Sequence, residues 1–190
     1  LIYDNSDLKS SCRCWFSLLY FGHDEKKINI LNGGLKKWIF EKKPITKTET
    51  TITESNYVAN KKDNLIVNFH QIKENIKSKN FNVIDARSLE RFEGKVSEPR
   101  KGLRSGHIEN SFCLPYNQCI DQKTGEFKNL EELRKIFDQC ENKEKKLDPV
   151  FTCGSGVTAS VLAYAYKMVN NDYIPKIYDG SWSEYGKYPA

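Results

Sequence analysis

The sequence predicts an α/β fold whose main domain has a largely parallel sheet flanked by helices. Short apolar runs alternate with segments of helical period along most of the chain. The stretch FTCGSGVTAS, residues 151–160, has the order apolar strand, glycine-rich turn and helix that is typical of such sheets. The order of elements in the first forty residues recurs near the end of the chain. This recurrence predicts part of a second domain of the same kind.

The amino-terminal segment, residues 1–42, is predicted to hold two strands and two helices. Apolar runs at residues 1–3 and 28–31 predict the strands. Residues 8–21 predict a helix that ends before Gly22, and the spacing of apolar residues at 35–39 predicts a shorter one. Residues 43–68 are polar, rich in threonine and without a helical period, so we expect an interdomain linker there.

Residues 69–190 carry the alternation of strands and helices that predicts the main domain. A charged loop without regular structure is expected from Asp85 to Gly106, and Asn129 with Glu132 predicts a capped helix start. The other expected elements are a helix from Phe69, strands at residues 82–84, 111–114, 150–152 and 176–178, and a helix at 157–169.

Composition excludes several classes of protein. The chain has 190 residues, of which 38% are hydrophobic and 29% charged, as in ordinary globular domains. We expect no membrane span, because no apolar run approaches about 20 residues. The net charge of +5 is scattered rather than gathered in a basic stripe, so we expect no nucleic-acid partner. A cytoplasmic location is expected, or a mitochondrial one if a leader precedes Leu1.

The six cysteines favour free thiols in a reducing compartment. They include Cys12 and Cys14, which would point to different faces of a helix, and the sequence contains no C-x-x-C pair. We therefore expect no structural zinc, no other metal site and no cofactor. The six are Cys12, Cys14, Cys113, Cys119, Cys140 and Cys153.

The internal repeat aligns LIYDNSD and INILNGGLKKW with VFTCGSG and PKIYDGSWSEY. Asp4 then matches Cys153, and Gly33 matches Gly180, with a two-residue insertion between them. The second copy follows further strands and a helix that the first copy lacks, and the first copy alone would leave apolar faces open to water. We therefore expect the chain to be the carboxyl-terminal part of a longer protein.

The loop after Cys153 has two explanations, a buried structural cysteine or a nucleophile. A loop of amides that enters a helix stabilises a thiolate, and Gly154 and Gly156 would let the N–H groups turn toward the sulfur. Protein tyrosine phosphatases use a similar loop, but they need an arginine six positions after the cysteine, where this chain has Ala159. The phosphatase interpretation is therefore disfavoured.

Three motifs together resemble the two-domain rhodanese family. They are CGSGVTAS at 153–160, YDGSWSEY at 178–185 and EPRKGLRSGHI at 98–108. Within the family the chain is most similar to the 3-mercaptopyruvate sulfurtransferases. The resemblance implies a catalytic carboxyl-terminal rhodanese-like domain at residues 69–190, and it makes residues 1–42 the remnant of a non-catalytic one.

The resemblance implies that Cys153 takes sulfur from 3-mercaptopyruvate as a persulfide and passes it to a thiol, cyanide or a thioredoxin-like acceptor. It makes Cys153 and Ser155 catalytic. The proposed histidine and aspartate partners of the loop serine would lie before Leu1. The residues that it assigns to substrate binding are Arg91, Arg100, Gly154, Gly156, Val157 and Thr158.

Other charged residues near these motifs are interpreted as structural. Asp85 and Arg87 are expected to pair with each other or to cap loop amides, and His107 is expected to fix a loop. Family members that prefer thiosulfate carry basic residues just after the cysteine, whereas Gly154 and Ser155 are uncharged. Thiosulfate sulfurtransferase and a sulfur-carrying or binding module without efficient catalysis stay open as alternatives.

Overall fold

A five-stranded parallel sheet forms the centre of the fold in the computed structural model, which describes residues 1–140 and 147–188. The predicted main domain thus includes residues 141–146 and 189–190, which lie outside the described ranges. The spatial order of the strands is β1-β5-β4-β2-β3, and every pairing is parallel. The strands are β1 (Ile66–Val67), β2 (Asn82–Asp85), β3 (Ser111–Cys113), β4 (Pro149–Thr152) and β5 (Ile177–Tyr178).

Helices cover both faces of this sheet. Every residue of β2 and β4 is buried, as expected for strands packed on two sides. Helix α1 packs on α6, and α6 also contacts α5 and β4. The helices are α1 (Lys9–Tyr20), α2 (Gly34–Phe40), α3 (Phe69–Ser78), α4 (Leu89–Phe92), α5 (Leu130–Asp138), α6 (Val157–Val169) and α7 (Ser181–Tyr185).

Several predicted elements are confirmed by the structure. Helix α6 has the predicted bounds, and β4 covers the predicted strand. The Asn129 side chain accepts the Glu132 N–H, and the Glu132 side chain accepts the Asn129 N–H, so the predicted cap of α5 is a capping box. These signals were local in sequence, which is why they could be predicted.

Three of these strands and helices were missed, and one of them is α7 (Ser181–Tyr185), which follows β5 where no helix is predicted. Strand β1 lies inside the predicted linker, where Ile66 pairs with Ile177 and Val67 with Tyr178. Helix α4 lies inside the loop that was expected to be irregular. All three are too short to show a hydrophobic period, since a helical pattern needs a window of about 11 residues.

The two strands predicted in the amino-terminal segment are reduced to a single parallel bridge between Ile2 and Ile30. Under the alignment of the repeat these residues match Phe151 and Ile177, which also pair in parallel, between β4 and β5. Helix α1 of the amino-terminal segment packs on α6 of the main domain. No helix in the described ranges is long and apolar enough to cross a membrane.

Candidate active site

Cys153 directly follows β4, at the carboxyl edge of the parallel sheet, where open α/β sheets bind ligands. The residue is 2% exposed. The Ser155 N–H donates to Cys153 Sγ at 3.4 Å. Helix α6 begins four residues after the cysteine, and the amides of its first turn lack helical acceptors. The sulfur is therefore held beside a loop amide and near a helix N-terminus, which favours a negative charge on it.

The two glycines of the loop have different structural roles. Gly156 has φ +78°, in the left-handed region that favours glycine. Its N–H donates to the Ser181 hydroxyl at 3.0 Å, so the loop amide that bonds the sulfur is that of Ser155 and not that of Gly156. Gly154 lies against Arg91 and Arg100, since a Cβ on it would sit 3.2 Å from Arg91 Nη2 and 3.6 Å from Arg100 Nη1.

The Ser181 side chain anchors the Cys153 loop through hydrogen bonds. Its fully buried Oγ accepts the N–H groups of Cys153 at 3.3 Å and Gly156 at 3.0 Å, and it donates to the Tyr178 carbonyl at 2.9 Å. The backbone of α7 adds two bonds, from Trp182 N–H to the Cys153 carbonyl and from Ser183 N–H to the Gly154 carbonyl. These contacts fix the conformation of the loop.

Removing the Ser181 hydroxyl should destabilise the fold measurably. Ser181→Ala leaves two buried N–H groups without their acceptor, so we expect the free energy of unfolding to fall by about 1–3 kcal/mol. Urea denaturation measures this change. Ser183→Ala is the matched control in the same turn, because its hydroxyl bonds a single carbonyl, that of Gly180. Equal losses from the two variants would contradict the role assigned to Ser181.

An open cleft of about 370 Å³ lies in front of the sulfur. Seven of the eight predicted site residues line it, and Pro99 joins them. Gly156 is not among the lining residues, in keeping with its bond to Ser181. The seven are Arg91, Arg100, Cys153, Gly154, Ser155, Val157 and Thr158.

The two arginines of the cleft have different surroundings. Arg91 is held by Glu98 through two hydrogen bonds, from Nε at 3.1 Å and from Nη2 at 2.6 Å. This hydrogen bonding raises the pKa of Arg91 further, so it stays charged. Arg100 is exposed and donates from Nη1 to the Gly154 carbonyl at 3.4 Å. Because Arg91 is already paired with the Glu98 carboxylate, Arg100 is the guanidinium more available to a small anion in the cleft.

Behind Arg91 lies a buried chain of alternating charges. Arg87 bonds the Asp85 carboxylate, as predicted, and also Glu98, and the side chains of all three are 1% exposed. Burial alone would raise the pKa of Glu98, but its bonds to Arg91 and the charge of Arg87 lower it. The negative charges of the two carboxylates thus balance the positive charges of Arg87 and Arg91. Among the cleft residues in the described ranges, Arg100 is the cation without a carboxylate in salt-bridge distance.

His107 does not line the cleft. Its ring stacks on Phe92 with 4.0 Å between ring centroids, and its Nδ1 lies 2.9 Å from the Phe92 carbonyl. These contacts support the loop-fixing role expected for it.

Two residues that shape the site were missed by sequence reasoning. Glu98 stands in the motif EPRKG, and an arginine-rich loop next to a buried aspartate calls for a second carboxylate, which was a usable signal. Ser181 gave no such signal. Its backbone has φ +50°, which no sequence pattern predicts for serine, and its partners Cys153 and Gly156 are 28 and 25 residues away.

Comparison with known proteins agrees with this geometry. Residues 68–188 match the rhodanese-like domain family. Over 97% of this chain, the sequence is 36% identical to the human 3-mercaptopyruvate sulfurtransferase and 35% identical to the thiosulfate sulfurtransferase of Gallus gallus. The crystal structure of SseA from Escherichia coli, described as a 3-mercaptopyruvate sulfotransferase, superposes with a TM-score of 0.79 and 31% identity, covering 96% of this chain and 66% of SseA.

The match covers only part of the relatives. The chain spans 61% of the human protein, 62% of the chicken protein and 54% of the Arabidopsis thaliana thiosulfate/3-mercaptopyruvate sulfurtransferase 1, to which it is 32% identical over its whole length. The matched family domain nevertheless contains β2 to β5, the cleft and Cys153. The chain therefore belongs to the rhodanese family.

Proposed function

We propose that this chain is the catalytic part of a 3-mercaptopyruvate sulfurtransferase that carries sulfur on Cys153. The observation that carries the proposal is a thiol bonded by a loop amide at the base of a cleft lined by Arg91 and Arg100. The names of the human and Arabidopsis relatives support it. The proposal assigns catalysis to residues 69–190 together with β1, which pairs in the same sheet, a linker role to the rest of 43–68 and a partner-domain role to 1–42.

The first half-reaction would form a persulfide. The Cys153 thiolate attacks the sulfur of 3-mercaptopyruvate, and an S–S bond forms as the C–S bond breaks. The electron pair of the broken bond goes to carbon as the enolate of pyruvate, which takes a proton and leaves as pyruvate. The Ser155 N–H is placed to stabilise the charge on the cysteine sulfur, and the Ser155 hydroxyl lies in the same cleft.

The second half-reaction would return the thiolate. A thiolate or cyanide attacks the outer sulfur of the persulfide, and the S–S bond breaks with its electron pair on Cys153. The acceptor leaves carrying the sulfur, as a new persulfide or as thiocyanate. We propose a low-molecular-weight thiol or a thioredoxin-like protein as the acceptor, because the cleft is open to solvent in front of Cys153.

The charge balance of the cleft favours a monoanionic donor. Arg91 and Arg87 are neutralised by Glu98 and Asp85, which leaves the charge of Arg100 for the substrate. The carboxylate of 3-mercaptopyruvate carries one negative charge, whereas thiosulfate carries two. The ratio of kcat/KM on the two donors tests this preference. A higher kcat/KM on thiosulfate would favour a thiosulfate sulfurtransferase, as the chicken relative is named.

Arg100→Gln should weaken binding of the donor more than it slows the chemistry. We expect KM for 3-mercaptopyruvate to rise about ten-fold, because a charge-assisted contact to the carboxylate is lost, and kcat to fall less. Steady-state release of pyruvate measures both constants. Lys101→Gln removes the same charge from the neighbouring exposed residue, which does not line the cleft, and is the matched control. A KM change of the same size in both variants would contradict a specific contact.

A second candidate is a rhodanese-like module that carries sulfur or binds partners without efficient turnover. The partial coverage of the relatives favours keeping it as the alternative. Mass spectrometry after exposure to 3-mercaptopyruvate separates the two, since the enzyme gains one sulfur atom on Cys153 and a binding module does not. We propose a cytoplasmic location, with the mitochondrion, which the Arabidopsis relative's name gives, as the alternative.

A further inference from the structure

An ion pair joins the amino-terminal segment to the turn that holds the sulfur loop. Arg13, on α1, donates from Nη1 to the Asp179 carboxylate, although 166 residues separate the two in sequence. Asp179 follows β5 and lies two residues before Ser181. The side chains of Arg13 and Asp179 are 33% and 40% exposed, so the pair lies at the surface of the seam between α1 and the main domain.

The turn formed by residues 179–183, which includes Asp179 and the start of α7, makes four hydrogen bonds to the loop. The Ser181 hydroxyl accepts the N–H groups of Cys153 and Gly156, and the N–H groups of Trp182 and Ser183 bond the carbonyls of Cys153 and Gly154. Any shift of this turn therefore displaces the loop at both of its ends.

The ion pair also touches the loop itself. A Cβ on Gly156 would lie 2.5 Å from Asp179 Oδ1 and 2.8 Å from Arg13 Nη1. The guanidinium is thus packed against Gly156, the N-cap of α6, and neither Arg13 nor Asp179 lines the cleft. A residue that contacts the loop but does not line the cleft can affect the reaction by positioning the loop.

We propose that Arg13 is a positioning residue, by which the amino-terminal segment fixes the sulfur loop through Asp179 and its turn. Arg13 holds the Asp179 side chain against Gly156, and the turn then holds the N–H and carbonyl groups of the loop in place. The effect of Arg13 on kcat rests on the proposed function, whereas its effect on the conformation of the loop does not.

A second ion pair across the same seam provides a matched control. Glu25, in the amino-terminal segment, pairs with Lys167 at 3.3 Å. Lys167 lies near the carboxyl end of α6, at the opposite end from the loop. Glu25→Gln therefore loosens the docking of the segment without touching the loop or its turn.

Amide hydrogen exchange tests the proposal directly. In Arg13→Gln we expect the amides of residues 153–156 and 181–183 to exchange about ten-fold faster, because local opening of the loop becomes easier, with the melting temperature changed by less than about 4 °C. Glu25→Gln should leave these amides at the wild-type rate. Equal exchange in the two variants, or no change in Arg13→Gln, would overturn the proposal. Asp179→Asn, which leaves α1 intact, should reproduce the Arg13→Gln pattern and serves if that variant does not fold.

Kinetics provide a second readout. We expect Arg13→Gln to lower kcat for pyruvate release about ten-fold with KM within about two-fold of wild type, because the sulfur is misplaced while the arginines of the cleft are not. Arg13→Lys, which keeps the charge, should restore most of kcat. A rise in KM with kcat unchanged would overturn the positioning role. If the wild-type chain releases no pyruvate, the proposed function fails, and the exchange data still decide the role of Arg13.

Discussion

Cys153→Ser should abolish sulfur loading and lower pyruvate release by more than about a thousand-fold, because a serine hydroxyl cannot form the persulfide. Cys153 is the thiol at the base of the cleft, and the Ser155 N–H donates to its sulfur. Incubation with 3-mercaptopyruvate followed by peptide mass spectrometry locates the added sulfur. The pyruvate assay on the same samples measures turnover.

Cys14→Ser is the control for this experiment, because Cys14 is an exposed cysteine on α1. We expect it to load sulfur on Cys153 and to release pyruvate as the wild type does. Two results would contradict the proposed function. One is turnover near the wild-type rate by Cys153→Ser, and the other is loading of wild-type chain at cysteines other than Cys153.

Local signals in the sequence predicted the part of the site that is contiguous along the chain. The strand before Cys153, the glycine turn and α6 follow one another, so hydrophobic period and composition were sufficient to predict them. Arg91, in RSLERF on α4, and Arg100, in EPRKG, came from the family resemblance and not from periodicity. Their positions beside Gly154 depend on the parallel order of the strands, which brings separate loops to one edge.

The contacts that hold the loop could not be predicted in the same way. Ser181 and Asp179 act on the loop through tertiary contacts, and Arg13 reaches it from the other end of the chain. Strand β1 has only two residues, and its place at the sheet edge is fixed by pairing with β5. Contacts of this kind depend on the packed structure rather than on intrinsic preferences of short segments.

Glu98→Gln should be the most destabilising substitution near the site that leaves Cys153 intact. The Glu98 side chain is 1% exposed, and it accepts from Arg87 Nη1 at 2.9 Å as well as from Arg91. Removing its charge leaves the buried Arg87 and the partly exposed Arg91 without their shared partner, which costs about 3–5 kcal/mol of unfolding free energy. Urea denaturation measures the loss, and KM for 3-mercaptopyruvate should rise because Arg91 loses its anchor.

Glu93→Gln is the matched control, since Glu93 pairs with Lys95 at the surface and the loss should stay within about 1 kcal/mol. The pH dependence of the difference between wild type and Glu98→Gln gives a sharper test. The pKa of Glu98 is lowered on folding, so its contribution is present above the unfolded value, near 4.5, and is lost as the pH falls through the lower folded value. The difference in stability should therefore be largest near neutral pH and shrink in acid. A difference that stays constant from about pH 7 to about pH 3 would mean that the ionised carboxylate is not what holds the two arginines.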